Sequence, residues 1–361
     1  MLPARSLPKR DDARPLISVV IPCFNYGDYV EAAMTSALEQ DYGHKEVIVV
    51  NDGSTDDSLA TISRHADRIT LVDQANAGHV ASCNVGFASA HGTVVMFLDA
   101  DDRLAPGALS RVADAWRPEA SKVQFDLAVI DGRGQDLGRR FCNFPPTYDV
   151  AAVRAAFRRT GTYRWPVTSG NAYSRWYLDR LFPLTLERAP DGLLNTLAPV
   201  YGDVITIPEV LGYYRLHGAN RSAQGSPHPP FPARIALRRR ELAWLREHAE
   251  QAGVPLPDGD ILDRELTFIN YRLMALKLGL AYEGRDDDSV PALLSKASTA
   301  LVDDIGPFKL RLAHLAWLLT LAVTPRVAAK SLIDLRFHRA QLWRTLSDRA
   351  LAALGVPGRA T

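Results

Sequence analysis

The chain has 361 residues, 47% of them hydrophobic, and a formal net charge of +1. This length allows a sizeable core and two domains, and the balanced charge argues against nucleic acid as a partner. The cysteines Cys23, Cys83 and Cys142 are far apart and odd in number. This pattern argues against a disulfide framework or a zinc site and is typical of a reducing compartment.

The polar N-terminus lacks a signal-peptide core. The longest apolar run, 315–324, is too short to span a bilayer, so we predict a cytoplasmic protein.

After a lead-in over 1–15 that we predict to be disordered, short β-rich runs alternate with helical segments. Strands are predicted at 16–22, 46–50, 69–74 and 93–99, and helices at 29–40, 57–65 and 79–90. This alternation with short connections predicts a parallel sheet with helices on both faces. Ligands of such sheets bind outside the carboxyl ends of the strands.

Polar clusters follow three of these strands. The sequence CFNYGD comes after the first strand, NDGSTDD after the second and DADD after the fourth. Because the carboxyl ends of parallel strands meet at one edge of the sheet, the three clusters together predict a binding site there.

The rest of the chain divides at a Pro-rich stretch. Residues 123–131 are predicted to form a strand pair around the Gly-rich turn GRGQDLG. The stretch 223–232 reads as a linker, and three helix-like segments follow it. We therefore expect a first domain over 16–222 and a helical C-terminal domain over 233–361.

Several motifs of this sequence together resemble those of a known family. SVVIPCFNYGDYV, NDGSTDDS and QANAGHVASCNVGFASAHGTVVMFLDADD, with the later GYYRLHGANRS, are similar to the nucleotide-diphospho-sugar domain of family-two glycosyltransferases. The resemblance covers about residues 16–222. It implies the GT-A fold, a Rossmann-like α/β domain with a mixed sheet flanked by helices, here followed by a mostly helical C-terminal region.

The same resemblance implies a function. The chain is expected to be an inverting, metal-dependent glycosyltransferase that takes a sugar from a nucleotide diphosphate donor, with UDP or dTDP favoured. The acceptor would be a hydroxyl of a glycan, a lipid-linked molecule or a protein, in the synthesis of a bacterial-type glycan, polysaccharide or glycolipid. A QxxRW motif, which marks processive synthases of the family, is absent, so we predict a non-processive enzyme.

Three carboxylates at the end of the fourth strand predict a metal site. Asp99, Asp101 and Asp102 would repel one another unless a cation lay between them, and Mg²⁺ or Mn²⁺ would bridge them to a diphosphate. The resemblance implies that Asp101 is the direct ligand and that Asp99 lies nearer the ribose. It also implies that His217 completes the metal or diphosphate shell. The alternative is a solvated acidic loop with a structural histidine.

The first two loops are predicted to hold the nucleotide. An aromatic side chain at Phe24 and the backbone near Pro22 and Asn25 would contact the base, although Phe24 also fits an ordinary core position. The resemblance implies that Asp52 accepts a hydrogen bond from the base. Asp56 instead suits the cap of the next helix.

The segment NAGHVASCN supplies three more expected donor contacts, Asn76, Gly78 and Asn84. Family members often carry an arginine immediately before the asparagine that matches Asn84, and here Cys83 stands in that place. His79 could substitute for the arginine, but an exposed histidine at a helix start is the interpretation we favour.

Inverting transfer needs a base near the acceptor hydroxyl. The segment LERAPDGLLNTLA resembles the family stretch that carries it, usually as an acidic pair. Pro190 replaces the first acidic residue and Asp191 matches the second, so Asp191 is the predicted base and Glu187 the alternative. Asp191 also suits a plain helix cap.

TSGNAYSRW is similar to the family segment that lies beside donor and acceptor. Its residues Ser169, Gly170 and Asn171 are therefore predicted to line the sugar and acceptor pocket.

The C-terminal segment is basic. Residues 306–361 contain nine Lys or Arg against two Asp, a local charge of +7. Such a segment suits a peripheral helix on the inner face of a membrane. We favour the alternative, a helical subdomain that packs on the catalytic domain or forms a homodimer.

Two other functions remain open. A nucleotidyltransferase would need a Gly-rich, basic phosphate loop after the first strand, which CFNYGDY lacks. A non-catalytic nucleotide-binding protein is compatible with the departures at Pro190 and Cys83.

Overall fold

The structure is a computed structural model that describes residues 14–185, 190–217, 231–303 and 308–336. The chain divides into two compact units. The first comprises residues up to 216 together with Glu241–Asp258, and the second comprises His217–Arg240 and Gly259 onward. Residues 241–258 lie within the predicted helical domain and group with the first unit.

Nine strands occur in the described residues, and all belong to one sheet. They are β1 Ile17–Cys23, β2 Lys45–Asp52, β3 Thr70–Gln74, β4 Val94–Phe97, β5 Arg103–Leu104, β6 Ala120–Asp131, β7 Asp136–Arg140, β8 Asn171–Ser174 and β9 Asp203–Leu216.

Helices flank the sheet in the first unit, and other helices make up the second unit. In the first unit they are α1 Gly27–Leu38, α2 Ser58–Ser63, α3 His79–Ser89, α4 Ala108–Ala115, α5 Val150–Thr160, α6 Arg175–Leu178 and α7 Pro190–Tyr201. Beyond them lie α8 Phe231–Ala252, α9 Leu266–Leu278, α10 Val290–Asp303, α11 Phe308–Val323 and a last helix over 326–336.

The sheet has a parallel half and a mixed half. Its strand order is β3-β2-β1-β4-β8-β6-β9-β5, with β7 paired to β6. Strands β3, β2, β1 and β4 are mutually parallel, as the strand–helix alternation predicts. Strand β8 runs antiparallel to β4 and β6, whereas β9 is parallel to β6. The mixed sheet, the flanking helices and the helical C-terminal region confirm the predicted fold class.

Continuous apolar runs explain the buried central strands. Every residue of β1 is buried, as expected of a strand covered by helices on both faces. Helix α3 approaches this layer closely, because a Cβ at Gly86 would collide with the Val20 side chain. The predicted hairpin is also present, since β6 and β7 pair antiparallel around residues 132–135.

The second unit has its own apolar core, which includes Ile269, Leu273, Leu293 and Leu321. Its buried charges are paired. Arg272 contacts Asp288 and Asp263, and Arg238 forms a fork-shaped pair with Glu265. No helix in the described part of the chain is long and apolar enough to cross a membrane.

Candidate active site

The predicted polar clusters lie at one edge of the sheet. Strand β1 pairs with β2 on one side and with β4 on the other, all parallel. The loops after these three strands therefore emerge together at their carboxyl ends. The loop after β4 carries the acidic cluster.

Asp99, Asp101 and Asp102 form this cluster. Each offers one carboxylate oxygen, and the three oxygens lie within 4.8 Å of one another. Asp101 and Asp102 are buried, whereas Asp99 is half-buried. Three carboxylates this close together offer the oxygen ligands that a hard divalent cation such as Mg²⁺ or Mn²⁺ prefers.

Asp102 is the supporting member of the cluster. One of its oxygens accepts from the Ser169 hydroxyl at 2.6 Å and the other from the backbone N–H of Arg215 at 2.8 Å. Ser169 in turn accepts from the Asp99 backbone N–H at 3.1 Å. Burial, followed by the charges of Asp101 and Asp99, raises the pKa of Asp102 well above its ordinary value. Burial and the two neighbouring carboxylates therefore disfavour the ionised form of Asp102, and a cation between the carboxylates would stabilise it.

Arg215 fixes the backbone beneath this cluster. Its Nε donates to the Asp101 carbonyl oxygen at 2.7 Å, and its guanidinium lies 5.1 Å from the centre of the Tyr29 ring. Arg215 lies in the GYYRLHGANRS segment, but no local pattern predicts its contact with a residue 113 positions earlier.

The first two loops are joined by hydrogen bonds. Asn25 has a left-handed backbone with φ of 57°. Its N–H donates to the Ser54 hydroxyl at 3.0 Å, and its side-chain oxygen accepts from the Thr55 N–H at 2.8 Å. Asp56 accepts from the N–H groups of Gly27 and Ser58 at 2.9 and 3.0 Å. Asp56 therefore has a structural role, as the sequence predicts.

Asp52 ends β2 and is 2% exposed. Its oxygens accept from the Gln74 side chain at 2.7 Å and from the N–H groups of Ala77 and Gly78, each at 2.9 Å. A carboxylate offers about four acceptor positions, so one remains for a ligand. Base binding by Asp52 stays a prediction.

The second loop also packs closely on the segment before α3. Gly53 has φ of +67°, and a Cβ there would lie 2.6 Å from the backbone nitrogen of Asn76. Only glycine fits this position. Asn76 is exposed and Pro22 is buried, while Phe24 and Gly78 are half-buried, so these predicted donor residues surround the same edge.

His79 begins α3 beside the acidic cluster. Its Nε2 lies 3.6 Å from Asp99 Oδ1 and 4.0 Å from the Cys83 sulfur. The pKa of His79 is raised well above its ordinary value by Cys83 and Asp99, against the effect of burial. The His79 imidazole therefore lies beside Asp99 and Cys83, one helical turn from the position where family members often carry an arginine.

Asn84 is used within the protein. Its amide donates to the Leu184 carbonyl at 2.9 Å and accepts from the Leu184 N–H at 2.8 Å. This pair of bonds joins α3 to the chain that leads to α7. A direct donor contact by Asn84 stays a prediction.

Asp191 lies in the first turn of α7, directly after Pro190. Proline is favoured at the first position of a helix. Burial, followed by the charge of Asp99, raises the pKa of Asp191, while His79 opposes this shift. The charge of Asp99 thus bears on Asp191. The alternative base, Glu187, lies outside the described residues.

The predicted sugar pocket segment is more buried than expected. Ser169, Gly170 and Asn171 are all buried. Ser169 supports the acidic cluster, and the Asn171 amide donates to the Val167 carbonyl at 2.8 Å. Contact of this segment with a sugar stays a prediction.

His217 directly follows β9 and is half-buried, and its part in a metal shell is likewise a prediction.

A buried lysine, which was not among the predicted site residues, lies near the predicted base. Lys122 on β6 is fully buried and donates to the Asn195 side chain on α7. The rings of Tyr163 and Tyr173 lie 5.3 and 5.9 Å from its ammonium. Burial lowers the pKa of Lys122 well below its ordinary value, and the charge of Asp191 opposes this. Asn195 is one turn after Asp191, so this network holds the helix that carries Asp191.

Comparisons with known proteins find related sequences. The family model described as Glycosyl transferase family 2 matches residues 18–178. An uncharacterized glycosyltransferase of Nostoc sp. is 36% identical over 214 residues, which is 56% of this chain and 66% of that protein. An uncharacterized glycosyltransferase of Bacillus subtilis is 33% identical over 142 residues, or 38% of this chain and 40% of that protein. The matched stretches thus leave a third or more of each relative uncovered.

A solved structure shares the fold. S. aureus TarS, residues 1–349 in complex with UDP-GlcNAc, aligns with a TM-score of 0.54 at 16% identity. The alignment covers 89% of this chain and 91% of that chain. At this identity the likeness shows the fold alone.

Proposed function

This chain belongs to glycosyltransferase family 2, and on that premise we propose that it transfers a sugar from a nucleotide diphosphate donor to an acceptor hydroxyl with inversion. One observation carries the proposal: Asp99, Asp101 and Asp102 at the end of β4 bring carboxylate oxygens within 4.8 Å of one another. The charge of Asp99 also raises the pKa of Asp191, after burial. A charged donor site and a separate carboxylate near it are the two parts that a single displacement requires.

Asp99 and Asp101 are proposed to hold a divalent metal, with Asp102 as the buried support. When bound, Mg²⁺ or Mn²⁺ would neutralise the charge that develops on the leaving nucleotide diphosphate. The His79 Nε2 lies at the same edge, 3.6 Å from Asp99 Oδ1, and a protonated His79 would add a positive charge there. This supports a role for His79 toward the diphosphate, in place of the arginine that Cys83 replaces.

The nucleotide is proposed to lie over the loops after β1 and β2. Asp52 has an acceptor position left for a base N–H. Pro22, Phe24 and Asn25 lie at the end of β1 or in the loop after it, and Asn25 is hydrogen-bonded to the loop after β2. UDP is the favoured nucleotide, with dTDP as the alternative. The TarS neighbour was solved with UDP-GlcNAc, which supports UDP without naming the sugar.

Asp191 is proposed to remove the proton from the acceptor hydroxyl. Its raised pKa makes it a stronger base than an exposed aspartate, and the Lys122–Asn195 contact keeps its helix in place. The acceptor is proposed to be a glycan, a lipid-linked molecule or a protein, and the enzyme to be non-processive.

The test is calorimetry of UDP and GDP with Mn²⁺ or with EDTA. We expect UDP to bind with Mn²⁺ and much more weakly with EDTA. Asp101→Ala should abolish the difference, whereas Asp67→Ala, at an exposed aspartate outside the site, should keep it. Equal UDP affinity in EDTA would contradict the metal site, and tighter binding of GDP would contradict the pyrimidine assignment. Hydrolysis of UDP-sugars by the same preparation separates an enzyme from a non-catalytic nucleotide-binding protein.

A further inference from the structure

The second unit carries an apolar surface that the proposed function does not use. Eight large apolar side chains are exposed in the described residues, and five of them lie between 312 and 335. Leu312, Leu319, Val323 and Val327 are 48%, 48%, 81% and 93% exposed. Exposed apolar residues are ordinary when scattered singly, but this set is concentrated in one short part of the chain.

These side chains form one stripe along α11. Leu312, Leu319 and Val323 are separated by seven and four residues, so they lie on one face of the helix. Ala316 is exposed on the same face. We call Leu312, Ala316, Leu319 and Val323 the α11 stripe, and the exposed Val327 follows shortly after the end of α11.

The opposite face of α11 is already occupied. Leu318 and Leu321 are buried in the core of the second unit, and the Trp317 indole N–H donates to the Asn270 side chain at 2.7 Å. The α11 stripe is therefore a second apolar face, with solvent on it.

Charge decides which partner fits. Residues 312–325 contain no acidic residue and no Lys or Arg, whereas Arg311 precedes this stretch and Arg326 follows it. A second copy of this helix would bring these arginines together in either orientation, and like charges repel. Residues 337–361 are also basic, with four Arg against one Asp, so Arg311 and Arg326 would be repelled by them in the same way.

We propose that the α11 stripe docks on an anionic membrane surface. Its leucines and valine enter the boundary between headgroups and acyl chains, and Arg311 and Arg326 contact lipid phosphates. An apolar helix face with basic residues beside it is the usual arrangement of a peripheral membrane helix. Such docking would place the enzyme where lipid-linked acceptors are found, but it does not depend on the sugar chemistry.

Vesicle flotation of the full chain tests this proposal. We expect the protein to float with phosphatidylcholine vesicles that contain phosphatidylglycerol and not with phosphatidylcholine alone, and salt should weaken the binding. Leu319→Glu and Val323→Glu should each reduce binding about tenfold or more, because a buried apolar side chain is lost and a negative charge is added. Arg326→Ala should reduce it about fivefold at low salt.

The matched control is Val302→Glu, at a residue that is 75% exposed in the same unit but on another helix. It should float like the unchanged protein. Absence of flotation with anionic vesicles would overturn the proposal, as would an equal loss for Val302→Glu. Light scattering of the same samples identifies the competing partner: a dimer that Val323→Glu converts to monomer, without vesicle binding, would assign the stripe to a second copy.

Discussion

The two units satisfy their buried carboxylates in different ways. In the first unit, Asp52 and Asp102 accept from backbone N–H groups and from neutral side chains. Asp126 follows the same pattern, with four backbone N–H groups around it. In the second unit, Asp288 and Glu265 are paired with buried arginines.

This contrast separates a binding site from a scaffold. Neutral donors hold a carboxylate in place without cancelling its charge, so it can still attract a cation or repel a neighbouring carboxylate. A buried arginine cancels that charge within the unit. We infer that the first unit leaves part of its carboxylate charge for ligands, although the Arg215 guanidinium lies beside the acidic cluster, while the second unit uses ion pairs to hold its helices together.

The largest expected effect comes from breaking a pair in the second unit. Arg272→Met removes the closer cation of buried Asp288 and leaves Lys296, whose ammonium lies 3.6 Å away. Removal of one partner of a buried pair costs about 3–5 kcal/mol. Denaturant unfolding measures this loss. Lys330→Met, which breaks an exposed pair with Asp334, should cost less than ~1 kcal/mol. Equal effects of the two substitutions would show that the buried pairs do not stabilise the unit.

The next effect concerns catalysis in the first unit. Asp191→Asn keeps the shape and the capping ability of the side chain, so the variant should fold and bind donor normally. It should lose transfer by ~10²-fold or more, the usual contribution of a positioned base. Turnover and donor affinity are measured on one preparation. Near-normal turnover of Asp191→Asn, together with a loss in Glu187→Gln, would move the base to Glu187.

A smaller expected effect concerns how the stability of the acidic cluster depends on pH. Because the pKa of Asp102 is raised in the folded state, its contribution to stability is largest below the ordinary aspartate value of about 3.9 and falls as pH rises toward the folded pKa. Asp102→Asn removes this dependence. In EDTA, the Tm of Asp102→Asn minus the Tm of the unchanged protein should therefore increase as pH rises. The increase should be a few °C, at about 2–4 °C per kcal/mol.

Added Mn²⁺ should reverse this trend in the unchanged protein, because a metal needs deprotonated ligands and binds better at higher pH. A Tm difference that is independent of pH would mean that Asp102 is not under this electrostatic strain.

The smallest effect is a shift in the pH profile of transfer. The base must be deprotonated, and burial with the Asp99 charge raises the pKa of Asp191. The rate should therefore rise with pH through a value above the ordinary ~3.9. His79 lowers this pKa, so His79→Gln should move the acid limb of kcat/KM to higher pH. A shift to lower pH would contradict the electrostatic contact between His79 and Asp191.

Much of the first unit could be predicted from local sequence. The apolar runs at 16–22, 46–50 and 93–99 correspond to β1, β2 and β4, because a strand buried on both faces needs an uninterrupted apolar run. The acidic cluster could also be predicted, since its three residues lie within four positions of one another.

Contacts between distant residues could not be predicted in the same way. Ser169 and Arg215 support Asp102 from 67 and 113 residues away. The burial of Lys122 follows from the pairing of β6 with β8 and β9, which no local pattern specifies. The sequence therefore indicates which carboxylates form the site, but not which side chains hold them in place.

The hydrogen bond from the Arg215 N–H to Asp102 has a consequence for the newly made chain. Asp102 leaves the ribosome 113 residues before its partner, and at about 5–20 residues per second this interval is roughly 6–23 s. Strand β9 is also the neighbour of β5, which directly follows Asp102. Throughout that interval the acidic loop lacks its supporting strand, so the nascent protein carries an incomplete cation site until most of its first unit has been translated.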